Sequence, residues 1–161
     1  MGLGAGSTPW QGGRVTVDPL QRRLRDALYA ETMLLADEAR GYFDDELRRE
    51  TGPLDPLARV QVSCESLKVT TRLLHAVAWL LTWRAVDAGE IGPAEARSPS
   101  RRLGASPAND AAAHALMPER ARALATASID LHRRVARLDR AAGEAAPSPA
   151  RSIQDRLARA F

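Results

Sequence analysis

The chain has 161 residues, 45% of them hydrophobic but only 4% aromatic, and a formal net charge of +3. That length suits one domain with a sizeable core, and Ala, Leu and Arg without apolar–polar alternation favour helices over sheet. A single cysteine, Cys64, excludes an internal disulfide and a multi-cysteine metal site, and neither a secretory signal nor a bilayer-length apolar run is present, so a cytoplasmic protein is expected.

In chain order, residues 1–17 are Gly-rich and aperiodic and read as a disordered N-terminal segment. Asp18-Pro19 then provides a capping residue and a first-turn proline. Leu20, Leu24, Leu28, Leu35, Ala39, Tyr42 and Leu47 mark an amphipathic helix over about 18–50. Asp44, Asp45 and Glu46 form an acidic cluster late in it, which reads as a solvated face balanced by Arg48 and Arg49. Thr51–Leu54 is a Gly-Pro turn short enough to return the chain antiparallel.

Asp55-Pro56 repeats the cap and opens a long helix over about 55–88, with Gly89 placed to end it. Two mostly apolar rows run along this helix at steps of three and four. One is Leu57, Val60, Cys64, Leu67, Thr71, Leu74, Ala78, Leu81 and Ala85; the other is Val62, Ser66, Val69, Leu73, Ala76, Leu80 and Trp83. A helix with two such rows has to be covered on two sides. One row builds the core, and a homodimer would cover the other; Val62, Val69, Leu73, Leu80 and Trp83 are the residues expected to serve dimer or packing contacts. In the monomeric alternative the first and third helices cover both rows.

Residues 90–116 contain Pro93, Pro99 and Pro107 and read as a flexible connection, with room for a helical turn at Ala94–Arg97 or Asn109–Leu116. A third helix over about 118–142 follows from Met117, Ala121, Leu124, Ser128, Leu131, Val135 and Leu138, with Gly143 as its stop. Residues 143–161 form a flexible C-terminal tail carrying Ile153, Leu157 and Phe161 between arginines. The expected architecture is therefore all-α: an antiparallel three-helix bundle over 18–142, dimerising through its central helix.

Candidate chemistry is sparse. His75, His114 and His132 form no ligand pair, so no metal or cofactor is implied; His75 falls on a polar row with Glu65, Lys68 and Arg72, and His132 on the outward side of the third helix. Cys64 within an apolar row reads as a small buried filler, and Trp79 and Trp83, one turn apart, as core or dimer packing. Thr70 and Thr71 suit a close helix crossing. Segment 18–50 has six positive and nine negative groups, whereas 118–142 has six and three, so these helices can complement each other. A DNA-associated regulator using Arg133, Arg134, Arg137 and Arg140 is the alternative to a protein-interaction role, and an enzyme is not expected.

The run Cys64-Glu65-Ser66-Leu67-Lys68-Val69-Thr70-Thr71-Arg72-Leu73-Leu74, continuing through Ala78-Trp79-Leu80-Leu81 and Arg84-Ala85-Val86-Asp87-Ala88-Gly89-Glu90, resembles the signature of the RcdA family. Leu28-Tyr29-Ala30-Glu31 with Leu34, Leu35 and Ala39, and Val135-Ala136-Arg137-Leu138-Asp139-Arg140, resemble it more weakly. The resemblance implies a dimerising three-helix bundle that acts without chemistry of its own, as an adaptor for the ATP-dependent protease ClpXP. It implies a protease primed by CpdR, a PopA-like adaptor and protein cargo as partners, and recruitment to a cell pole by them. It also implies a functional C-terminal tail, here with Ile153, Leu157 and Phe161 as anchors in a partner groove.

Overall fold

A computed structural model describes residues 18–144. Three long helical stretches pack together, and no strand is present among the described residues. The first comprises α1 (Pro19–Gly41), a π-helical turn (Tyr42–Glu46) and α2 (Leu47–Thr51); the second is α3 (Pro56–Asp87). Two short helices, α4 (Pro93–Ala96) and α5 (Ala111–Leu116), with a 3₁₀ turn at Pro99–Arg101, lie in the connection that leads to α6 (Glu119–Glu144). Both helical turns weighed for the connection therefore form.

The capping chemistry acts as its sequence suggests. The Asp18 carboxylate accepts from the Leu20 N–H at 3.0 Å, and Asp55 accepts from Leu57 and Ala58 at 3.0 and 3.1 Å. At the far end of α3, Gly89 adopts φ +75°, its N–H donating to the Val86 carbonyl and that of Glu90 to the Ala85 carbonyl. This is a Schellman stop, which a residue with a Cβ adopts only at a steric cost. Gly143 does not end α6, which continues to Glu144.

The π-helical turn has no signature in the apolar spacing. It widens the helix by one residue and turns Tyr42 fully inward, where its hydroxyl donates to Glu50 at 2.5 Å. Burial raises the Tyr42 hydroxyl pKa well above its usual value, and the Glu50 carboxylate adds to this, so the phenol stays a donor.

The core is centred on α3, which packs against both α1 and α6. Val62, Val69, Ala76 and Leu80 have no accessible surface, and Leu73 and Trp83 are nearly as buried. They meet Leu28, Ala39 and Tyr42 from the first stretch and Leu124, Leu131 and Val135 from α6. One apolar row of α3 is thus consumed inside a single chain.

Candidate functional site

Three faces of α3 have different fates. The row just described is the core. A second face, Glu65, Lys68, Arg72 and His75, is polar in sequence yet largely covered, because the connection lies across it. Arg72 is 1% exposed and donates to Ser106 Oγ at 3.0 Å, to the Pro107 carbonyl at 2.7 Å and to Asn109 Oδ1. It also reaches Ser128 Oγ on α6 at 3.4 Å. Burial lowers the pKa of this guanidinium, while the carboxylate of Glu65 favours its charged form. Glu65, equally buried, accepts from Lys68 at 2.5 Å and from the Asp110 N–H at 3.0 Å. The connection, read from its composition as flexible, is anchored to α3 and α6 by these bonds.

The clasp extends along the same segment. His75 Nδ1 lies 3.1 Å from the Ala105 carbonyl, and His132 Nε2 on α6 lies 2.8 Å from that of Gly104. Gly104 is required by proximity: a Cβ there would meet the His75 ring at 2.5 Å. His132 was expected on the outward side of the helix and is instead buried, because the connection roofs that side of α6. Arg102 holds Asp139 on α6 at 2.8 and 2.9 Å, and the Trp79 indole N–H donates to the same carboxylate at 2.8 Å. Burial alone would raise the Asp139 pKa, but the Arg102 and Trp79 donors outweigh it and the net direction is downward.

The third face is the exposed one. Leu57, Val60, Leu67, Leu74 and Leu81 are between 46% and 69% exposed, and Cys64 among them is exposed rather than a buried filler. From Leu57 to Leu81 the strip runs about 36 Å along the helix. Glu65 and Arg72, on the neighbouring face, are buried beneath the connection, while these aliphatic side chains are exposed. Exposed apolar surface, where it is contiguous, is characteristic of interaction sites. Beside it, Leu74 and Val77 of α3 face Ala36 and Phe43 across a shallow apolar groove. Val62, Val69, Leu73, Leu80 and Trp83 lie within one chain's core, where they serve packing. Ile153, Leu157 and Phe161 lie outside the described residues.

Charge complementarity between the outer helices is visible as ion pairs. Arg134 on α6 reaches Glu31 at 2.6 Å, and Arg120 reaches Glu46 at 2.7 Å. Arg133 pairs with Asp130 at 2.8 Å, so two of the four arginines considered for nucleic acid are engaged within the chain. Asp44 and Asp45 are solvated. Among the described residues no group of three or more His, Cys, Asp or Glu side chains is arranged to hold a metal ion, and no helix is long and apolar enough to cross a membrane.

A family model described as a protein of unknown function (DUF1465) matches residues 17–161. Among solved structures, that of RcdA from Caulobacter crescentus CB15 is similar, with 31% sequence identity and a TM-score of 0.61. The similarity covers 74% of this chain and 90% of that one. No curated protein matches.

Proposed function

This chain belongs to the RcdA family, and from that premise we propose that it is a non-enzymatic adaptor, delivering protein substrates to ClpXP as a homodimer in regulated, cell-cycle-linked proteolysis. The observation that carries the proposal is the similarity to RcdA over most of both chains. The exposed strip on α3 supports the dimer: burying one leucine side chain contributes about 1.5–3 kcal/mol, and five large aliphatic side chains wait along one line. An adaptor needs no acid, base or nucleophile. It raises the effective concentration of cargo at the unfoldase by holding both at once.

On this reading the partners are ClpXP primed by CpdR, a PopA-like adaptor and the cargo itself, and the tail residues Ile153, Leu157 and Phe161 serve as anchors for one of them. The decisive assay follows the half-life of a cell-cycle regulator incubated with ClpXP and CpdR, with and without this chain. A clear shortening is expected on addition; unchanged half-lives across the cell-cycle substrates, with and without a PopA-like adaptor, would refute the proposal.

A further inference from the structure

At the end of the bundle where α1 begins and α3 and α6 finish, the three helices leave a cleft of about 310 Å³. Its walls are mostly apolar: Trp79, Trp83 and Val86 from α3 and Leu138 from α6, with Arg25 from α1. For scale, a cavity of roughly 150 Å³ admits a benzene ring, so two side chains of that size have room here. Two of its lining residues also carry unmet donors. The Trp83 indole N–H and the Arg25 Nε are buried without a hydrogen-bond partner among the described residues. Arg25 otherwise spends its guanidinium on Asp87, at 2.7 and 3.0 Å. Buried donors of this kind are normally matched by an acceptor.

The mouth of the cleft is where α6 ends. Ala141 and Ala142 line it, and the described chain stops two residues later at Glu144. Pro147 and Pro149 follow, and proline is unfavourable in a helix interior. Residues 145–152 can span up to about 27 Å when extended, ample to bring the segment after them back to the mouth. That segment carries Ile153, Leu157 and Phe161 four residues apart, a spacing that shares one face of a helix. Asp18 at the rim makes the N-terminal segment a competitor, but the family match begins at residue 17 and continues to 161, so the tail is the part common to the family.

We infer that residues 145–161 fold back and dock their apolar face in this cleft, making the tail a ligand of its own bundle. On the adaptor reading, on which this consequence rests, a docked tail is withheld until a partner draws it out, since the same three side chains serve both.

Amide hydrogen exchange of residues 153–161 in the full-length protein tests the docking without any protease. Exchange about tenfold slower than in a free peptide of the same sequence is expected. The slowing should vanish in Ala141→Trp, which fills the mouth from an exposed position, and in Leu157→Asp/Phe161→Asp, which leaves the bundle untouched. Tail amides that exchange like the free peptide would overturn the inference. Protection that survives Ala141→Trp, that grows with protein concentration, or that falls on residues 10–17 instead would overturn it equally, the last two by assigning the cleft to a second copy or to the N-terminal segment. Docking intact, with no ClpXP delivery even when Ala141→Trp releases the tail, would count against the adaptor reading alone.

Discussion

Arg72 shows how a single buried charge can organise a segment with little apolar content. Its guanidinium satisfies acceptors on the connection and on α6 at once, a task for a rigid multi-donor fork and not for a point charge. Arg72→Ala should cost about 3–5 kcal/mol in urea unfolding, because it strands buried acceptors and leaves Glu65 with less compensation. Arg72→Lys should recover only part of that. His132 adds a pH dependence. Burial holds its imidazole below the usual value of 6.5, and nearby His75 and Arg72 push the same way against the Gly104 carbonyl. The folded state therefore binds that proton less readily than the unfolded chain, so the contribution is complete above about pH 6.5 and is lost as pH falls through the lower folded value. Melting temperature should be lower at pH 5 than at pH 7.5. His132→Gln, which keeps a donor for Gly104 without titrating, should flatten the difference; an equal pH slope in that variant would remove His132 as its source.

At the scale of the elements, α3 separates what periodicity can say from what it cannot. The caps, the rows and the turn were all legible, because each is a local pattern set by backbone geometry. Which row is core was not legible, since both are aliphatic and the choice depends on what packs from elsewhere. Nor does the polar row of Glu65, Lys68, Arg72 and His75 show in its sequence that it is covered. Their cover is a proline-rich connection whose residues Gly104–Asp110 have no apolar pattern of their own. The misplacement of Cys64 and His132 follows from those two facts. Substitutions discriminate the faces. Leu73→Ala in the core should destabilise by about 2–5 kcal/mol. Leu67→Glu with Leu74→Glu on the exposed row should change monomer stability by only about 0.5 kcal/mol per site yet abolish self-association in sedimentation equilibrium. A dimer that survives the double substitution would place the contact elsewhere.

For the whole molecule, the proposed adaptor divides into a rigid bundle that sets geometry and a tail that meets partners, and the two are separable by deletion. Tenfold protection of the tail corresponds to about 1.4 kcal/mol of docking free energy. Removing residues 150–161 should then lower the melting temperature by only about 3–6 °C for a chain of this size. Delivery should suffer far more, because tethering depends on simultaneous engagement and disappears when one of the two contacts is lost. Degradation assays with ClpXP and CpdR should therefore show the truncated chain accelerating cargo turnover no better than buffer, while its helical circular dichroism and its sedimentation match the intact protein. Ala141→Trp should act oppositely: with the cleft filled and the tail released, half-maximal acceleration should come at a lower adaptor concentration. If both changes slow turnover alike, the end of the bundle is itself a partner contact, and the tail and the cleft work as one surface.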